Sequence, residues 1–171
     1  MTRSVAEVEE LVLQHLAEAG IDHERGGRPG EVVATLPGEH KLSTTVSLLV
    51  GEHSLSASAF VVRHPDENHD EVHRWLLQRN ARLPGIAFAV DGDGDVYLVG
   101  RLPLDAVTPQ SLDALLGALL ETSDGSFDTL LAMGFLTSMR REWAWRTSRG
   151  ESTRNLEAFR HLLDDAAPPV Q

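Results

Sequence analysis

Between Thr44 and Val61 apolar and polar residues alternate twice, with only three residues separating the two runs. Thr44, Val46, Leu48 and Val50 lie two apart, Gly51-Glu52-His53 intervenes, and Leu55, Ala57, Ala59 and Val61 resume the spacing. A period of two places each set on one face of a strand. So short a connection cannot carry the chain back to start a parallel neighbour, so the two strands must pair antiparallel. The serines and threonines between the apolar positions leave the opposite face less apolar. This hairpin commits the chain to a sheet with one buried face, and the remaining segments must supply its cover.

Helical patterns flank it on both sides. Ser4-Val5-Ala6-Glu7 reads as a capping box, in which serine and glutamate each satisfy a free amide of the first turn. Val5, Val8, Val12, Leu16 and Ala19 then recur at helical spacing, and Gly20 followed by Ile21 reads as a left-handed stop with its apolar contact. Gly26-Gly27-Arg28-Pro29-Gly30 is a loop, and residues 31–36 form a strand ended by Pro37-Gly38. A second helix starts at Asn68, a capping residue, with Asp70 and Glu71 near its positive end. Val72, Trp75, Leu76 and Leu83 form its buried side, and Pro84-Gly85 ends it. Strands at 86–90 and 96–99 flank the turn Asp91-Gly92-Asp93-Gly94-Asp95. Thr108-Pro109 opens a third helix, carrying Leu112, Leu115, Leu116 and Leu119. A separate, longer helix is expected over 126–146, followed by a short amphipathic piece at Leu156, Phe159 and Leu163 and a tail ending in Pro168-Pro169. The order is α-β-β-β-α-β-β-α-α plus a C-terminal helix. The fold class is α+β, with a five-stranded, mostly antiparallel sheet flanked by helices.

The size, 171 residues, suits one domain. Acidic residues outnumber basic ones 26 to 15, for a formal charge of −11. Such a field repels phosphate, so neither nucleic acid nor an anionic membrane is an expected partner. The absence of cysteine removes disulfides, thiolate catalysis and Cys-ligated zinc. No apolar run approaches the roughly 18 residues of a membrane span, and Met1-Thr2-Arg3-Ser4-Val5-Ala6-Glu7 lacks a signal peptide's apolar stretch. A cytoplasmic protein is expected, with no cofactor.

Catalytic motifs are incomplete. In His69-Asp70-Glu71-Val72-His73 two histidines sit at i and i+4, the spacing with which a metalloprotease helix holds zinc. Aspartate occupies the position of the general-base glutamate, and no third ligand is singled out. A metal-dependent hydrolase using His69 and His73 is therefore the alternative, against polar residues on an exposed first turn. Asp91-Gly92-Asp93-Gly94-Asp95 imitates the start of a calcium loop but has Val96 and Leu102 where glycine and glutamate belong. A hairpin turn needs the same aspartates and glycines. The glycines at 26–30 precede a strand, whereas a phosphate-binding loop precedes a helix. No G-x-S-x-G elbow surrounds a serine. Asp164 and Asp165 read as solvated acids near the terminus.

The late stretch differs in charge. Residues 140–160 hold six arginines against Glu142, Glu151 and Glu157. Trp143 and Trp145 bracket Ala144, so they point to different sides of a helix, one free to face a partner. Arginine and tryptophan anchor many interfaces. Arg140, Arg141, Trp143 and Trp145 are therefore candidate partner-binding residues, and no metal site is assigned.

Three segments carry a family resemblance. Asn68-His69-Asp70-Glu71-Val72-His73-Arg74-Trp75-Leu76-Leu77-Gln78-Arg79-Asn80, Gly94-Asp95-Val96-Tyr97-Leu98-Val99-Gly100-Arg101-Leu102-Pro103 and Arg140-Arg141-Glu142-Trp143-Ala144-Trp145-Arg146 resemble the actinobacterial branch of the YbjN-like family. That family is described as a regulator of bacterial sensory transduction, with a fold similar to type III secretion chaperones. The resemblance implies self-association and a role in binding proteins rather than turning over substrate: a protein partner, a homodimer and no catalytic residues. It divides the chain into a domain over 1–148 and a C-terminal short helix and tail over 149–171. The expected function is a non-enzymatic protein-binding or chaperone-like regulatory domain, in signalling or stress response. Such a domain should expose an apolar patch of several hundred Å². A small-ligand sensor on the polar sheet face would need an enclosed pocket instead.

Overall fold

The computed structural model describes residues 3–164. Six strands form one antiparallel sheet: β1 (Asp22–Arg25), β2 (Glu31–Pro37), β3 (Ser43–Val50), β4 (Ser54–Val62), β5 (Ile86–Val90) and β6 (Val96–Pro103), in the order β1-β2-β3-β4-β6-β5. Five helices accompany them: α1 (Val5–Glu18), α2 (His69–Asn80), α3 (Pro109–Gly134), α4 (Leu136–Arg149) and α5 (Arg160–Asp164). The register aligns the apolar alternation across the sheet. Val32, Leu48, Ala57, Gly100 and Ile86 form one rung, and Ala34, Val46, Ala59, Leu98 and Phe88 form the next. Helix α1 packs on β2 and β3, α3 crosses β3 to β6, and α2 leans on β5. Val8, Val12, Leu16, Leu112, Leu116 and Leu119 meet these rungs to make the core.

Helix α1 begins and ends as its residues dictate. Ser4 and Glu7 form the reciprocal capping box, and Gly20 turns the chain with φ +68°. The amides of Gly20 and Ile21 return to the carbonyls of Ala17 and Leu16, closing two of the helix's free acceptors.

The sheet has six strands where the sequence suggests five. The extra strand, β1, is Asp22-His23-Glu24-Arg25, whose side chains are mostly exposed. It forms through backbone pairing with β2 at the sheet edge, so it carries no apolar alternation.

The long helices divide elsewhere than expected. Residues 121–125, with Ser123, Asp124 and Gly125, continue α3 as a single helix of 26 residues. Ser123 is buried against the Thr44 hydroxyl, and Asp124 binds the β2–β3 loop, so the polar residues that suggest a break are instead tertiary contacts. The break falls at Phe135 (φ −137°, ψ 0°), where residues 63–68 cross. Asp66 and Glu67 donate their amides to the Gly134 carbonyl, and the Asn68 side chain donates to Met133 O at 2.8 Å. Glu67 Oε1 accepts the Thr137 amide at 2.8 Å and so caps α4 from outside its own segment. Gly134 permits the crossing, because a Cβ there would lie 2.9 Å from Pro65 Cβ. Asn68 thus starts α2 in the left-handed region (φ 54°) without a side-chain cap, contrary to the sequence reading.

Candidate functional site

The helices cover one sheet face and leave the other open. On the open face Val33, Ser47, Ser58, Val99 and Ala87 form a rung, beside Phe60, Tyr97 and Ala89. Phe60 and Tyr97 meet edge-on with ring centroids 5.5 Å apart. Phe60 is 36% exposed and Val99 37%. Phe60, Tyr97, Val99, Ala87 and Ala89 therefore form an apolar strip on β4, β6 and β5, bordered by Ser56, Ser58 and Arg101, whereas β2 and β3 carry Glu31, Thr35, Thr45 and Ser47 alongside Val33 and Leu49. There Glu31 accepts from Arg28 at 2.8 Å and from Ser47 at 2.6 Å. Those hydrogen bonds, Arg28's first, pull the Glu31 carboxyl down to about 2.

Lys41 stands at the margin of the strip. Its ammonium donates to Phe60 O at 2.6 Å and lies 5.4 Å from the Phe60 ring and 5.8 Å from the Phe127 ring. Burial pushes its pKa down to about 8, against the opposing pull of Asp124.

A second exposed apolar area lies where α2 meets β5. Leu77 is 71% exposed and Val90 43%. With His73, Leu76 and Phe88 they line a cleft of about 260 Å³. At its base Asn80 accepts the Phe88 amide at 2.7 Å and donates to the Phe88 carbonyl at 3.1 Å. Trp75 packs on Phe88 with centroids 5.8 Å apart, and the Arg79 guanidinium lies 5.6 Å from the Trp75 ring. The sequence reading missed this area. Leu76 and Leu77 look alike in the sequence, but only Leu76 turns inward.

The residues singled out on the late helix lie on α4. Trp145 is exposed, with the Arg149 guanidinium 4.8 Å from its ring, and Trp143 is half-buried. Arg141 is exposed, and Arg140 is half-buried and lowers the pKa of Glu67 through its charge, after the larger effect of hydrogen bonds from Thr137. The four share a helix but are separate from the apolar strip in the sequence of elements.

The histidine motif is put to other uses. His69 Nε2 lies 2.6 Å from Pro65 O and 3.2 Å from His64 Nε2, while His73 lines the α2–β5 cleft. Among the described residues no group of three or more His, Asp or Glu side chains is placed to hold a metal ion. In the 91–95 turn, Asp91 accepts the amides of Asp93 and Asp95, and Asp95 accepts that of His64. These carboxylates hold a hairpin and its neighbour together. Asp164 is exposed at the end of α5, and Asp165 and the Pro168-Pro169 tail lie outside the described residues. Among the described residues no helix is long and apolar enough to cross a membrane.

A chain of the solved ExsC–ExsE complex has a similar fold. The two superpose with a TM-score of 0.55 and 21% identity, over 74% of this chain and 95% of the other. The α+β, type III secretion chaperone-like class expected from the resemblance is the one found, with the sixth strand added. The chain belongs to the YbjN family, described as "Putative bacterial sensory transduction regulator", whose pattern matches residues 9–132. It is 46% identical over 166 residues to the Mycobacterium tuberculosis protein Rv0487, covering 95% of this chain and 91% of that one. It is 51% identical over 134 residues to Mycobacterium leprae ML2442, covering 78% and 73% respectively. Both relatives are uncharacterized.

Proposed function

We propose that this chain is a non-enzymatic, chaperone-like domain that binds a protein partner through the open face of its sheet, in signalling or stress response. The observation that carries the reading is the apolar strip of Phe60, Tyr97, Val99, Ala87 and Ala89, which no element of the described chain covers. An aromatic pair on a rigid sheet offers a partner contact area at little cost in ordering. Arg140, Arg141, Trp143 and Trp145 on α4 provide a second, basic and aromatic contact zone on an acidic protein. Leu77 and Val90 supply the surface for a homodimer. The binding domain comprises 1–148, with 149–171 appended, and works in the cytoplasm.

The test is site-specific photo-crosslinking in the cells of origin. A crosslinker at Val99 is expected to capture a partner protein, and one at the exposed Glu10 on α1 is not. Equal adducts at both positions, or none at Val99, sink the reading. Light scattering of the purified chain tests the dimer, with Leu77→Asp expected to give a monomer.

A further inference from the structure

Residues 151–164 fold back over α3 and α4, beyond the segment that matches the family. This strap presents Leu156, Phe159 and Leu163, at i, i+3 and i+7, toward the domain, while Arg154, Glu157 and Arg160 stay exposed. The groove it covers has Val62, Leu131, Phe135 and Met139 in its lining. Phe159 packs on Phe127 with centroids 6.2 Å apart. The polar ties are few and at the surface. Arg146 donates to Ser152 O at 3.0 Å, and His161 Nε2 lies 3.1 Å from Asp128 Oδ2.

Two observations say that the strap is an imperfect cover. Leu156 is the only buried side chain of its described residues, and a depression of about 240 Å³, lined by Leu156 and Phe159 together with the groove, stays open beside it. The depression is open to solvent, so the apolar side chains lining it keep exposed surface that a better-fitting segment would bury. The strap leaves α4 through Gly150 in the left-handed conformation (φ +65°), whose amide and that of Glu151 return to the Thr147 and Arg146 carbonyls, so the link to α4 is a single capping turn.

Resting on the protein-binding reading above, we infer that the groove is a docking site for an amphipathic helical segment of a partner, with apolar residues at i, i+3 and i+7. The strap is its internal competitor. Helix-in-groove recognition uses this spacing of anchors. A tethered segment competes at an effective concentration on the order of millimolar, so the partner's segment must fill the open space to displace it.

The probe is a fluorescent peptide of this chain's own residues 151–164, followed by anisotropy. The full-length double variant Leu156→Ser/Phe159→Ser, whose strap no longer seats, is expected to bind it at least about tenfold more tightly than the wild-type chain. Val99→Asp should leave that binding unchanged, so loss of the sheet-face reading and loss of this one are distinguishable. Equal binding by variant and wild type overturns the inference. Hydrogen exchange on the wild-type chain gives an independent readout if the variant misfolds. The Leu156 and Phe159 amides should exchange at least about a hundredfold faster than the α3 core amides, through local opening. Exchange only at the rate of global unfolding overturns the inference. A wild-type dimer that survives Leu77→Asp but is lost in the double variant would place a second copy's strap in the groove and also overturn it.

Discussion

Asp124 is the residue that lets a polar, glycine-containing stretch remain helical, and its removal gives a calculable loss. Its Oδ1 accepts the backbone amides of Glu39, His40 and Lys41 at 3.1, 3.0 and 2.9 Å. Hydrogen bonds to a charged acceptor are net stabilising by about 1.5–3 kcal/mol each when sheltered, and by less where water can replace them. The Lys41 amide is partly buried and the other two are exposed. Together the three are worth about 2.5 kcal/mol, from which alanine's better helix propensity subtracts about 0.5. Asp124→Ala should therefore cost about 2 kcal/mol, a fall of about 1 M in the urea midpoint with an unchanged slope. Asp124→Asn keeps an accepting oxygen without the charge and should lose about half as much. Burial raises the Asp124 pKa, but the three amide donors outweigh it and hold the carboxyl below its ordinary value. A depressed folded-state pKa means the contribution is full above the unfolded value and lost as pH falls through the folded one. The gap between wild type and Asp124→Ala should accordingly be constant near neutrality and close in acid. A loss below about 0.5 kcal/mol at pH 7, or a gap insensitive to acid, would refute the reasoning.

Gly134→Ala should destabilise by about 1–2 kcal/mol, because its Cβ would press on Pro65, 2.9 Å away. Gly125→Ala, with nothing within 4 Å, should stabilise by about 0.5–1 kcal/mol, so urea melts of the two variants should move in opposite directions. For Lys41 the folded pKa is about 8 against an ordinary 10.5. Between those values the unfolded chain holds more of the proton, so stability should rise with pH across that window. Lys41→Met should flatten the rise in a pH series of thermal melts.

The parts of the fold legible in the sequence are those whose side chains bear the burial pattern. The β3–β4 hairpin and both ends of α1 follow directly from spacing and caps. Strand β1 does not, because it is specified by the free edge of β2 rather than by its own residues. The continuity of α3 through Asp124 and its end at Gly134 depend on segments far away in sequence, the 39–41 loop and the 63–68 crossing. Of the proposed binding surface, the Ser and Thr alternation shows that one face is less apolar. It does not show that Phe60, Tyr97 and Val99 fall side by side, which depends on β4 pairing with β6 across the α2 excursion. That Trp143 and Trp145 point to different sides of a helix is legible from their spacing, but which of them is the exposed one is not.

The Asn80 side chain occupies the outward hydrogen-bonding positions of Phe88, at the end of the sheet nearest the apolar cleft. An edge strand whose central amide and carbonyl are already taken cannot template another strand there. Anything that docks beside β5 must therefore do so through side chains, because the sheet cannot be extended past Phe88. The protein can therefore display apolar surface at that edge without offering β5 as the seed of an open-ended fibre.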